Sequence, residues 1–123
     1  MTKQILVIDD DPAIRRMIEI VLIAAGYGVM CAPDGEEGIR LFRALRPDLV
    51  ITDVIMPVQE GIETILGIRR EQPGARIIAM SGGGRIASND LLTMARNLGA
   101  DRVLAKPFDI DALTAVVQQT LSE

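Results

Sequence analysis

Apolar residues fall into two kinds of stretch along this chain. Short unbroken runs such as Ile5-Leu6-Val7-Ile8 and Leu49-Val50-Ile51 show no alternation with polar residues. That pattern predicts strands buried on both faces of a parallel sheet. Between them lie longer stretches with apolar residues three and four apart, the period of an amphipathic helix. Taken in order, a strand over Ile5–Ile8 runs into Asp9-Asp10-Asp11-Pro12. An Asp before a first-turn proline predicts a helix start. The helix runs to about Ala25, with Ile14, Ile18, Val21, Leu22 and Ala25 as its core stripe and Gly26 as its C-cap. A second strand covers Gly28–Ala32. Asp34 and Glu37 have capping-box spacing and open a helix whose apolar face is Gly38, Leu41, Phe42 and Leu45. Arg46-Pro47 ends it. The third strand is Leu49–Asp53. Gly61 precedes a third helical pattern with Ile62, Ile65 and Leu66, closed by Gln72-Pro73-Gly74. A fourth strand, Arg76–Met80, leads into Ser81 and three glycines. A fourth helical pattern carries Leu91, Leu92, Ala95 and Leu98 and stops at Gly99. The fifth strand is Arg102–Ala105. Asp109 caps a fifth helical pattern with Ile110, Leu113, Val116, Val117 and Leu121 facing inward.

Five strands alternating with five helices predict an α/β fold, a parallel sheet covered on both faces. Right-handed crossovers restrict the topology to a doubly wound sheet of order 2-1-3-4-5, flavodoxin-like, with a switch point between strands 1 and 3. The 123 residues are expected to form one domain, 1–123, with no linker or repeat.

Composition narrows the function. Hydrophobic residues make up 49% and aromatics 2%, so the core must be aliphatic. A net charge of −4 argues against direct nucleic-acid binding. One cysteine, Cys31, excludes an internal disulfide, and without histidine a zinc site has no ordinary ligand set. No apolar run reaches membrane-span length, and no signal-peptide pattern opens the chain. A cytoplasmic location is the expectation.

The chemistry gathers at strand ends. Asp53 closes the third strand, and Pro57 cannot continue its ladder. Open α/β sheets bind ligands at the carboxyl edge of their strands. The order 2-1-3-4-5 sets Asp9 and Asp10, Asp53, Ser81 and Lys106 side by side there. Alone, each has an ordinary reading as a helix cap, a loop residue or a solvated charge. Together they form an acidic crevice faced by one lysine and one hydroxyl. Clustered carboxylates repel one another unless a cation or protons compensate. An all-oxygen donor set suits Mg²⁺. A carboxylate can also act as nucleophile and form an aspartyl-phosphate.

The stretches Ile8-Asp9-Asp10-Asp11, Asp53-Val54-Ile55-Met56-Pro57, Met80-Ser81-Gly82, Gly99-Ala100-Asp101 and Lys106-Pro107-Phe108 resemble the response-regulator receiver domain of two-component signalling, across essentially the whole chain. The resemblance implies that Asp53 accepts phosphate from a phosphohistidine of a histidine kinase or phosphotransferase. It implies that Asp10, Asp53 and the backbone carbonyl of Ile55 ligate Mg²⁺, with Asp9 assisting through water. Ser81 and Lys106 would hold the phosphoryl group and report it to a downstream effector or output domain, in a domain that catalyses its own phosphorylation and dephosphorylation. A cis Lys106–Pro107 bond is implied as well. Ile55 and Gly83, at positions where receivers tune hydrolysis, offer no polar side chain, which predicts slow self-dephosphorylation. One departure stands out: Val103 occupies the position where the family carries an aromatic switch residue. The signal is then expected to leave through Gly82-Gly83-Gly84 and the helix that follows.

Two other readings compete. A haloacid-dehalogenase-like phosphatase would carry its nucleophile motif after the first strand, ending in Thr or Val, whereas Asp9-Asp10-Asp11-Pro12-Ala13 ends in Ala. A degenerate receiver that only binds a partner would lack part of the site. Neither GxxxxGK[ST] nor GxGxxG is present, so the glycine triplet does not read as a nucleotide loop. Ala13, Met17, Ile20 and Ala24 form a second apolar stripe on the first helix. It either widens the core contact or receives the helices of a phosphodonor. No output domain is legible after Leu121-Ser122-Glu123, which leaves open a stand-alone receiver or a part of a longer protein.

Overall fold

The computed structural model describes residues 2–54, 58–81, 93, 96–97 and 99–122, and of residues 58–60 only the backbone. Five parallel strands, β1 (Gln4–Ile8), β2 (Gly28–Ala32), β3 (Leu49–Asp53), β4 (Ile77–Ser81) and β5 (Arg102–Ala105), form one sheet in the order β2-β1-β3-β4-β5. Four helices with defined bounds accompany it among the described residues: α1 (Pro12–Ala24), α2 (Gly35–Leu45), α3 (Val58–Glu71) and α4 (Ile110–Leu121). The predicted helix with Leu91, Leu92, Ala95 and Leu98 lies mostly outside the described residues, although Thr93, Arg96 and Asn97 within it are helical.

The unbroken apolar runs do form the doubly covered centre of the sheet. Alternate residues of each strand point to opposite faces. Leu6, Ile8, Val50, Ile77 and Ala79 meet Phe42 of α2 and Ile65 and Ile68 of α3. Ile5, Val7, Ile51, Ile78 and Met80 meet Ile18 and Leu22 of α1 and Leu113, Val116 and Val117 of α4. Asp11, Asp34 and Asp109 cap α1, α2 and α4, accepting from the amides of Ala13, Glu37 and Ala112. Gly26 and Gly99 take positive φ, 99° and 116°, where a side chain would be strained. Arg46 ends α2 in the left-handed region at φ 47°, with its guanidinium over the Phe42 ring.

Several expectations shift. Gly61 lies inside α3, not before it. A Cβ there would stand 2.5 Å from Val54 Cα and 2.7 Å from the Asp53 carbonyl oxygen. The glycine lets α3 approach the end of β3 at backbone distance, so the helix begins earlier than its apolar pattern. Strand β4 begins at Ile77, not Arg76. Ala25, Leu45 and Ile110, predicted as core, are exposed. Each sits at the end of its helix, where the stripe has run past the sheet that would cover it. Of the second α1 stripe, Met17 packs partly on the core while Ala13, Ile20 and Ala24 are exposed. Cys31 is half-buried; burial foremost, with the charge of Glu19, pushes its thiol pKa up against the opposing charge of Arg15. That suits a small core residue better than a reactive thiol.

Candidate functional site

The register builds the site. Ile8 pairs with Thr52, so the next residues, Asp9 and Asp53, leave adjacent strands at the same level. Asp53 pairs with Met80, and Ser81 pairs with Ala105, so Ser81 and Lys106 each follow one step further along. Four strand ends therefore deliver a carboxylate pair, a hydroxyl and an ammonium to one edge.

There the side chains converge. Lys106 Nζ donates to Asp9 Oδ2 at 2.7 Å and to Asp53 Oδ2 at 3.0 Å. Asp9 is fully buried and Asp53 is 5% exposed. Carboxylate oxygens of Asp9, Asp10 and Asp53 all lie within 4.8 Å of one another, Asp10 being the exposed member. Burial alone would press the Lys106 ammonium toward losing its proton. The hydrogen bonds and charges of Asp9 and Asp53 outweigh that, and its pKa lies above that of an ordinary lysine. The lysine is thus a fixed cation that cancels part of the acidic charge.

The remaining groups fix the frame. Asp9 Oδ1 accepts from the amide of Asp11 at 2.9 Å, and the Asp9 carbonyl accepts from Arg15 Nη1 at 2.7 Å. The amide of Lys106 donates to the Ser81 carbonyl at 2.7 Å, and the Lys106–Pro107 bond is cis. Ser81 is fully buried, and its Oγ has no hydrogen-bond partner among the described residues. A buried hydroxyl in that condition is costly unless a ligand completes it. Ile55 and Gly83 lie outside the described residues. Val103 is half-buried against the α2/α3 side of the core.

Of the residues expected in the site, the structure therefore brings together Asp9, Asp10, Asp53 and Lys106, and places Ser81 at the adjoining strand end. Three carboxylates with only oxygen donors fit a hard divalent cation that keeps part of its water shell. Such a crevice can bind a cation, hold an anionic group against it and use a carboxylate as nucleophile. Arg15 was not legible as part of this frame. At four residues from Asp11 it reads as an ordinary helix-surface charge.

Comparison with known proteins agrees with this geometry. A response regulator receiver domain model matches residues 5–118. The regulatory protein AtoC of Escherichia coli is 31% identical over 118 residues, 96% of this chain and 25% of that protein. The DNA-binding dual master transcriptional regulator RpaA of Synechocystis is 37% identical over 120 residues, 96% of this chain and 48% of that protein. The chain thus spans about a quarter to a half of the length of such relatives. Among solved structures, a CheY-like receiver domain protein from Methanospirillum hungatei superposes with a TM-score of 0.90 at 29% identity, covering 99% of this chain and 95% of that one. A receiver domain protein from Clostridium thermocellum gives 0.88 at 30% identity, covering 98% and 94%. With its sheet order, its acidic strand ends and a family match over nearly its whole length, this chain belongs to the response regulator receiver domains of two-component signal transduction.

Proposed function

We propose that Asp53 is the phosphoacceptor of this receiver, taking a phosphoryl group from the phosphohistidine of a histidine kinase or phosphotransferase in a Mg²⁺-dependent reaction. The observation that carries this reading is the placement of Asp53: buried at the end of β3, bonded to Lys106 at 3.0 Å, within 4.8 Å of two further carboxylates. An Asp53 oxygen attacks phosphorus as the phosphorus–nitrogen bond breaks, and the electron pair stays with the imidazole nitrogen, which takes up a proton. Lys106 turns from a carboxylate partner into a phosphoryl partner, and Ser81 Oγ, buried without a partner among the described residues, donates to a phosphoryl oxygen. Asp10 and Asp53, with Asp9 behind them and the Ile55 carbonyl, would hold Mg²⁺. When bound there, Mg²⁺ would supply positive charge that offsets the carboxylates and stabilises the negative charge of the transferring phosphoryl group.

On this reading the domain supplies the groups for its own phosphorylation and dephosphorylation, and residues 1–123 act as one receiver unit. Its partners are the phosphodonor protein and a downstream effector or output domain. No direct nucleic-acid contact is proposed for so acidic a chain. No helix among the described residues is long and apolar enough to cross a membrane, and a cytoplasmic site of action is part of the proposal. The test is incubation with a small-molecule phosphodonor and Mg²⁺, read by intact mass and peptide mapping. A single added phosphoryl group on Asp53 is expected, absent from Asp53→Asn and absent when Mg²⁺ is chelated. Wild type that takes up none, or takes it elsewhere, overturns the proposal.

A further inference from the structure

We propose that Arg15 is a positioning residue for the acidic site, holding the main chain at Asp9 so that the three carboxylates converge. The inference rests on the phosphoacceptor reading above. Asp9 is fully buried, and every polar group of it is engaged. Its amide donates to the Ala32 carbonyl at 3.2 Å, Oδ1 accepts from the Asp11 amide at 2.9 Å and Oδ2 accepts from Lys106 at 2.7 Å. Its carbonyl takes Arg15 Nη1 at 2.7 Å. Three of these bonds come from the strand, the turn and the site lysine. The fourth comes from α1, one turn beyond the Asp11 cap, and it spans the β1–α1 turn that carries Asp10. Glu19 lies four residues further along, at the spacing of a helix ion pair. It takes Arg16 at 3.7 Å, while Arg15 reaches back to the strand end.

Position and charge predict opposite effects, which makes the proposal decidable. Removing a nearby cation should by itself tighten binding of Mg²⁺ to the carboxylates. Releasing the Asp9 carbonyl should loosen the turn and weaken it, as loss of an outer-sphere partner does in metal sites. Arg15→Ala and Arg15→Lys are compared with wild type, the lysine keeping the charge without the long planar fork. Mg²⁺ affinity is measured by calorimetry and by the Mg²⁺ dependence of the melting temperature. Both variants are expected to bind Mg²⁺ about ten-fold more weakly. Phosphoryl uptake from a small-molecule donor should need correspondingly more Mg²⁺ while reaching a near wild-type rate at saturation, a split that general destabilisation does not produce. Without any metal, the Asp11 amide should exchange faster with solvent in both variants while the amides of Leu6 and Val7 keep their protection. Unchanged or tighter Mg²⁺ binding, or an Asp11 amide protected as in wild type, overturns the role of Arg15 with the phosphoacceptor reading intact. Wild type that binds no Mg²⁺ or leaves Asp53 unmodified removes both. Should the alanine variant fail to fold, the lysine variant decides alone.

Discussion

Asp10 is the one exposed carboxylate of the cluster, and it faces two buried ones that both pair with Lys106. Like charges about 4 Å apart repel by about 1 kcal/mol in water and about 4 kcal/mol near a protein surface, and the exposure of Asp10 together with the cation at Lys106 keeps the net cost toward the lower figure. Asp10→Asn should therefore raise the melting temperature of the metal-free protein by a few degrees. Mg²⁺ should stabilise wild type by mass action, about 2.7 kcal/mol at a hundred times its dissociation constant. In the variant most of that gain should vanish. Thermal scans of both proteins with and without Mg²⁺ check the pair of effects. Wild type whose melting point ignores Mg²⁺ contradicts the site.

At the scale of elements, α3 ties the two edges of the sheet together. Its Gly61 touches the backbone of Asp53 and Val54 at the carboxyl edge. Its last turn places Arg69 at the opposite edge. There Arg69 donates to the carbonyls of Gly99, Pro73 and Ala75 and to Asp101 Oδ2 at 2.9 Å, which itself accepts from the Ile77 amide at 2.7 Å. One side chain thus closes the entries to β4 and β5. Arg69→Ala should cost about 2–3 kcal/mol in urea unfolding, since it strands a partly buried carboxylate and several carbonyls. Arg69→Lys should recover only part, because an ammonium cannot span the fork. A loss under half a kilocalorie, as for an exposed pair, would show the clamp to be ornamental to stability.

For the whole molecule, the two helices on one face of the sheet leave an apolar surface beside the site. Met17 of α1 shares a shallow cavity with Phe108, Asp109, Ile110 and Asp111, directly after Lys106-Pro107. Ile110 is 58% exposed and Ile20 is 55% exposed. Exposed patches of this kind mark protein contacts. The core contact of Met17 makes it a poor probe, because its replacement would disturb packing. Ile110→Lys is expected to slow phosphoryl transfer from a cognate phosphohistidine protein by about ten-fold, the equivalent of one lost apolar anchor of roughly 1.4 kcal/mol, while uptake from a small-molecule donor and the melting temperature stay near wild type. Equal rates from the protein donor would place the docking surface elsewhere.

The strands, their order, the capping aspartates and the residues of the acidic edge were all legible in the sequence. Each follows from local pattern: a short unbroken apolar run bounded by turn residues suits a strand covered on both faces, and a carboxylate that ends such a strand emerges at the sheet's edge. Handed crossovers then leave few ways to arrange five strands, so Asp9, Asp53, Ser81 and Lys106 become neighbours before any coordinates exist. Tertiary structure alone decided what depends on distance between remote atoms. It set Lys106 between Asp9 and Asp53 and not against Asp10. It put Gly61 inside a helix, at a point where another backbone comes too close for a side chain. It turned Arg15 and Arg69 inward to carbonyls that no periodicity marks. It also left Ala25, Leu45 and Ile110 uncovered, because helical spacing names the face of a helix but not how far the sheet extends beneath it.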